Sequence, residues 1–193
     1  GLVGEFQEFV EAKSDKDKMK EFGDCCWYLA ANCKEWANGM IPNMYKNMVN
    51  LPGLQDTYDT GYAHFRKESG FTPAEQEVVF LTSSVENGCG YCTAAHSYLA
   101  DEVSKTPSEV TKAIRDGNEV PDSKLAALAE FVKVMHKTKG NPSPQDAKVF
   151  LDAGYTEKHI LGIILAMAVK TISNYSNHIF HTEIDAPFQD WAI

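Results

Sequence analysis

The sequence predicts an all-α fold, an orthogonal or antiparallel bundle of about seven or eight helices, on three observations. Thr72-Pro73-Ala74-Glu75, Thr106-Pro107-Ser108-Glu109 and, more weakly, Ser143-Pro144-Gln145-Asp146 each set a hydroxyl residue before a proline, with an acid three residues after the hydroxyl. Such a hydroxyl accepts from a free backbone N–H, proline has no N–H to leave orphaned, and the acid reaches back to close a capping box. Leu125, Leu128, Ala129, Phe131, Val132 and Met135 recur at spacings of three and four, the period of an amphipathic helix. No stretch shows the period-two alternation of paired strands.

Taken in order, Lys16 to Trp36 is helix-like and closes at Gly39 and Pro42. Leu51 to Lys67 follows, starting near Pro52-Gly53. Thr72 opens a helix that Asn87-Gly88 stops, because these residues favour the left-handed turn that ends helices. Cys89 then falls in the first turn of a new helix reaching about Val103, and Thr106 caps the next. The helix after Asp122 ends before Gly140-Asn141-Pro142. Ser143 starts a short one that Gly154 closes. Thr156 opens the longest, running through the apolar stretch Ile160–Val169 towards Thr182, with Leu161, Ile164, Leu165 and Ala168 as its expected core face. No linker divides the chain, so a single domain over residues 1–193 is expected.

Lys plus Arg number 18 against 27 for Asp plus Glu, a formal charge of -9. That surface repels nucleic-acid phosphates and anionic bilayers, so neither is an expected partner. Ile160–Val169 is about half of the roughly 20 residues a bilayer crossing needs. The opening Gly1-Leu2-Val3-Gly4-Glu5-Phe6 shows neither a basic start nor a cleavage site. Five cysteines are too few for a disulfide scaffold. A reducing, cytoplasmic setting is the expectation.

The chemistry concentrates in Glu86-Asn87-Gly88-Cys89-Gly90-Tyr91-Cys92-Thr93-Ala94-Ala95-His96. Cys89, Cys92 and His96 fall within about 60° of one another around a helix, on one stripe. A helix N-terminus favours thiolate over thiol, an imidazole one turn beyond Cys92 can take its proton, and two thiols three apart can close a disulfide. Zinc is the rival: Cys89, Cys92 and His96 could supply three ligands, with His178 and His181 as a distant pair, but no second CxxC exists. No metal and no cofactor is expected.

Glu77 twelve residues before this CxxC, with a histidine four after its second cysteine, resembles the alkyl hydroperoxidase D (AhpD)-like branch of the carboxymuconolactone decarboxylase family. Met40-Ile41-Pro42-Asn43-Met44 and Asn174-Tyr175-Ser176-Asn177-His178 resemble its longer, peroxidase-related members. The resemblance covers residues 38 to 188, leaving 1–37 as an N-terminal helical extension. It implies an all-helical homo-oligomer, dimer to hexamer, acting as a dithiol peroxidase that takes a small hydroperoxide and is reset by an external dithiol such as a lipoylated protein. By position it makes Cys92 the peroxidatic cysteine and Cys89 the resolving one, with His96 and Glu77 as the proton relay. Local position alone would favour Cys89 as attacker, since it lies nearer the helix start.

In a helical hairpin about Asn87-Gly88, Glu77 and His96 lie roughly 15 and 12 Å from the bend, so they could face each other. Burial beside Phe80 and Leu81 would raise Glu77 towards a useful base. Glu75 is expected to be taken by the Thr72 cap. The family's second relay histidine is replaced by Tyr91, which implies a shorter relay. Tyr91, Glu86 and His178 are possible auxiliaries. Cys25, Cys26 and Cys33 read as small buried thiols, Asn174 and Tyr175 as pocket or contact residues, and Trp27, Trp36 and Trp191 as core or interface aromatics. Two alternatives remain: a lactone decarboxylase like other family branches, which do not need the dithiol, and a non-catalytic redox or zinc-binding module.

Overall fold

The structure, a computed structural model, describes residues 41–193. The expected helix over Lys16–Trp36, the 1–37 extension, Cys25, Cys26, Cys33, Trp27 and Trp36 lie outside these residues. The described chain is all-helical, with no strand among these residues. Its α-helices are α1 (Asn43–Met48), α2 (Pro52–Glu68), α3 (Pro73–Glu86), α4 (Gly90–Tyr98), α5 (Ser108–Asp116), α6 (Ser123–Thr138), α7 (Pro144–Asp152) and α8 (Glu157–Phe180). A π-helical turn, Leu99–Val103, extends α4, and a 3-10 turn, Ala186–Trp191, closes the chain. No helix among the described residues is long and apolar enough to cross a membrane.

The caps follow the sequence with one exception. Thr72 and Ser143 close full capping boxes with Glu75 and Asp146, and Asp122 caps α6 through Leu125 N–H. Thr106 does not cap α5: Pro107 takes that place without a side-chain bond, and the Thr106 hydroxyl is buried without a partner. Val110 and Thr111 N–H donate to the Pro107 carbonyl, so the helix starts without a side-chain cap.

Helix α3 is the central element, buried from Glu75 to Ser84 and packed on α4, α5, α6 and α8. Its Phe80 lies 4.5 Å from Phe65 and stacks on Tyr62 at 5.1 Å, between ring centres. A second aromatic stack, Phe131–Phe150–Tyr155, holds α6 to α7 at 4.3 and 4.5 Å.

Helix α8 corrects the expected core face. Leu161, Ile164 and Ala168 are exposed and Leu165 is half-buried, whereas Gly162, Ile163, Ala166, Val169, Lys170, Ser173, Asn174 and Asn177 are buried. Close approach selects the face. A Cβ on Gly162 would lie 3.2 Å from Ser69 Cβ, and one on Gly61 of α2 would lie 2.9 Å from Val169 Cγ2. The small residues mark where α2 and α8 nearly touch, which turns Leu161 and Ile164 outward.

Candidate active site

Asn87-Gly88 turns the chain as expected, Gly88 in the left-handed region at φ +69°, which glycine adopts without strain. Cys89 is the N-cap of α4, one step earlier than the first turn, and its Sγ accepts the Cys92 N–H at 3.5 Å. Cys92 follows on the same end of the helix. Both sulfurs are buried, 1% and 2% exposed, and not bonded to each other. From α8, the Asn177 side-chain amide donates to Cys92 Sγ at 3.2 Å and reaches Cys89 Sγ at 4.0 Å.

Glu77 links α2, α3 and α4. Its Oε2 lies 2.9 Å from His96 Nδ1 and its Oε1 pairs with the Arg66 guanidinium. Arg66 also donates to the Tyr62 hydroxyl at 2.6 Å and to Gln76 Oε1 at 3.1 Å, and lies 4.8 Å from the Tyr62 and Phe80 ring centres. A carboxylate accepts only, so Nδ1 of a neutral His96 carries the proton and Nε2 keeps its lone pair. The ring packs 4.9 Å from Phe80.

These contacts correct the expected pKa of Glu77. Burial alone would raise its carboxyl, but the hydrogen bond from His96 and then the paired Arg66 guanidinium hold it below its ordinary value. Glu77 stays ionised and orients the ring instead of acting as a raised base. His96 moves the other way: burial first, then the Lys170 charge, lower it to about 4 against the pull of Glu77. The ring is therefore uncharged at neutral pH.

The two thiols diverge. Burial would raise Cys92, yet the Cys89 S–H and the Lys170 charge hold it well below the usual thiol range. An imidazolium at His96 would lower it further, but a ring that titrates near 4 supplies no such charge at neutral pH. Cys89 is pushed up, because its S–H is held on the Cys92 sulfur and because it is buried. Thiolate character rests on Cys92.

Other expected residues fall elsewhere. Tyr91 is buried, but its O–H donates to Asp185 Oδ2 at 2.5 Å, and Asp185 also accepts the Asn43 N–H at 3.2 Å. Tyr91 thus ties the segment after α8 to α4 and α1 and is not in the relay. Glu86 is exposed at the end of α3, and His178 is exposed, stacked on Tyr175 at 6.2 Å between ring centres. Glu75 is occupied by the Thr72 cap and by Lys124 Nζ at 2.8 Å. Among the described residues no three His, Cys, Asp or Glu side chains gather to hold a metal ion, and His181 is exposed at the end of α8.

Arg66, Lys170, Asn177 and Asp185 belong to the site or its support and were not singled out for it. For two of them a signal existed. Lys170 is the charge that interrupts the apolar run ending at Val169, and Lys170, Asn174 and Asn177 lie at spacings of four and three on one helical face. Reading Asn174 with Tyr175 and His178 placed attention on the exposed side instead.

Residues 52–133 match the carboxymuconolactone decarboxylase family. No curated protein matches the sequence. Among solved structures, the fold is similar to a peroxidase-related protein with an alkylhydroperoxidase AhpD core from Ralstonia eutropha JMP134, at TM-score 0.73 and 18% identity over 86% of this chain and 87% of that one. It is similar to a peroxidase-related protein from Silicibacter sp. TM1040, at TM-score 0.71 and 18% identity over 86% and 87%. The debrominase Bmp8, solved with 2,3,4-tribromopyrrole, follows at TM-score 0.66 and 15% identity over 79% and 82%. The chain thus carries, over residues 52–133, a match to the carboxymuconolactone decarboxylase family, within a fold similar to the AhpD core.

Proposed function

We propose that the protein is a dithiol peroxidase for small hydroperoxides. The observation that carries this is the asymmetric setting of the CxxC pair: Asn177 donates to Cys92 Sγ at 3.2 Å but only reaches Cys89 Sγ at 4.0 Å, and Cys89 Sγ accepts the Cys92 N–H, surroundings that lower the Cys92 thiol and raise that of Cys89. The Cys92 thiolate attacks the O–O bond of ROOH. One oxygen transfers to give Cys92 sulfenic acid, and the alkoxide leaves as ROH after taking a proton. Cys89 condenses with the sulfenic acid, water departs and the disulfide forms. In sum, one dithiol and one ROOH give one disulfide, one ROH and one water. An external dithiol, dihydrolipoyl by the resemblance, reverses the disulfide by exchange. Neutral His96, oriented by Glu77, offers Nε2 to carry the thiol proton away.

The test is peroxide consumption with dihydrolipoamide as reductant. Cys92→Ser should abolish turnover, and Cys89→Ser should leave one equivalent of sulfenic acid per chain. Full activity in Cys92→Ser would refute the reading. Because a protein of this fold is named a debrominase, an aryl bromide is the control substrate: faster loss of bromide than of peroxide would replace the peroxidase with a thiol-dependent dehalogenase. We further propose a homo-oligomer in which copies cover the exposed α8 stripe of Leu161, Ile164, Tyr175 and Ile179. Sedimentation of Ile164→Glu should show smaller particles than wild type, and unchanged particles would remove that face from the assembly.

A further inference from the structure

Lys170 has no role in the steps above, yet it lies on the buried face of α8 that reaches the dithiol through Asn177. Its side chain is fully buried, and Nζ makes no hydrogen bond among the described residues. Nζ lies 5.7 Å from the centre of the Phe80 ring, which also meets His96 at 4.9 Å and Arg66 at 4.8 Å. Two turns further along the same buried face of α8, Asn177 touches the Cys92 sulfur at 3.2 Å. A buried ammonium without an anion is expensive, because the lost hydration is not replaced.

Both Glu77 oxygens are engaged, one by Arg66 and one by His96. Asp185 is engaged by Tyr91 and the Asn43 N–H. From α2, Tyr58 and Tyr62 face Cys92 but are pushed far above neutrality by burial, and Tyr91 on α4 likewise. Cys89 keeps its proton, and His96 is uncharged. What remains is the Cys92 sulfur. The Lys170 charge acts on Cys89, Cys92 and His96 together.

We propose that the buried ammonium of Lys170 is the fixed counter-charge of the Cys92 thiolate, in the place an imidazolium would otherwise hold, and that closing the Cys89–Cys92 disulfide strands this cation. Two pairs then balance the site: half-buried Arg66 with buried Glu77, and Lys170 with Cys92. Oxidation removes one member of the second pair, since the disulfide is neutral. The reduced form is favoured accordingly, and the disulfide is an oxidising one, easily reset by an external dithiol. The proposal rests on the peroxidase reading only in naming Cys92 as the sulfur that matters.

The experiment follows thiolate absorbance near 240 nm across pH, with iodoacetamide labelling of Cys92 mapped by mass spectrometry, in wild type, Lys170→Met, Lys170→Gln and His96→Asn. Near pH 6.5, both Lys170 variants should label Cys92 at least ~10-fold more slowly and show thiolate only at higher pH, whereas His96→Asn should change the rate by under ~3-fold. In dihydrolipoamide redox buffers, Lys170→Met should shift the equilibrium towards disulfide by ~10-fold. Circular dichroism shows which variants fold, and Lys170→Gln serves if the methionine does not. Labelling within ~2-fold of wild type in a folded Lys170 variant, or a larger loss in His96→Asn, would overturn the assignment. No peroxide enters these measurements. A Lys170-dependent thiolate in a protein inert to peroxides keeps this inference while removing the peroxidase; an active peroxidase whose thiolate ignores Lys170 does the reverse.

Discussion

His96 gives the sharpest stability prediction, because its environment pulls in two directions. Glu77 at 2.9 Å favours the charged ring, while burial and the nearby Lys170 charge favour the neutral one. The second group wins, with the ring titrating near 4 in the fold against an ordinary 6.5. Above 6.5 neither folded nor unfolded chain protonates His96, and its contribution to stability is complete. Between 6.5 and about 4 the unfolded chain binds a proton that the folded chain refuses, so stability falls as pH falls. At about 1.4 kcal/mol for each tenfold difference in proton affinity, the full loss is ~3 kcal/mol. Some ~2 kcal/mol of it should appear between about pH 7 and about pH 4.5. Urea unfolding at a series of pH values measures it, with His96→Asn as the reference that lacks the titration. The stability of wild type minus that of the variant should shrink by that amount over the interval. A flat difference would mean the ring titrates normally. A difference that grows as pH falls would mean an imidazolium paired with Glu77, and the charge balance argued for Cys92 and Lys170 would fail with it.

Other perturbations have independent readouts. Glu77→Gln strands the Arg66 guanidinium and should lower stability by ~3 kcal/mol at neutral pH, or roughly 6–12 °C in Tm. Since Glu77 titrates below its ordinary value in the fold, that gap should close as pH falls through the acid range. Gly61→Ala should lower stability by ~1 kcal/mol in urea unfolding despite alanine's better helix propensity, because the new methyl meets the branched Val169 at 2.9 Å. Asp185→Ala removes the acceptor of both Tyr91 O–H and Asn43 N–H. Limited proteolysis should then cut after residue 181 faster than in wild type, while the melting of the helical core changes little.

The hairpin about Asn87-Gly88 was legible because helix geometry is local: capping residues, a left-handed turn and a fixed rise per residue suffice to bring Glu77 towards His96 across nineteen positions. The order and approximate limits of α2 to α8 follow from the same local signals, with Thr106 the exception where a threonine before proline was buried instead of capping; α1, which has no side-chain cap, and the closing 3-10 turn were announced by none. What local signals could not supply is rotation and partnership. Arg66 reaches Glu77 from α2 and Asp185 reaches Tyr91 from the far end of the chain. Nothing in the spacing of either residue announces its partner. The Glu77 pKa runs opposite to the sequence expectation for a related reason: burial was legible, whereas the hydrogen bond from His96 and the Arg66 guanidinium, which together outweigh it, depend on partnership.

Helix α8 shows why the missing part was the functional part. Its buried positions change character halfway: Gly162, Ile163, Ala166 and Val169 give way to Lys170, Ser173, Asn174 and Asn177. Meanwhile Leu161, Ile164, Ile179 and Phe180 face outward. A search for the apolar face of a helix assumes that polar side chains go to water, which holds wherever stability alone decides. In the second half of α8 that rule is reversed. Asn177 finds Cys92 and Asn174 accepts from Asn87 at 2.8 Å, while Lys170 Nζ, Asn174 Nδ2 and Asn177 Oδ1 remain buried without hydrogen-bond partners. Orphaned polar atoms in a core are costly one at a time, and three of them on adjacent turns oppose folding. Such a face is tolerated when the groups act on something the fold itself does not complete, and a thiolate that gives up its charge at each oxidation fits that description. The inverted half of α8 is thus an argument for chemistry at Cys92 that does not depend on likeness to any other protein.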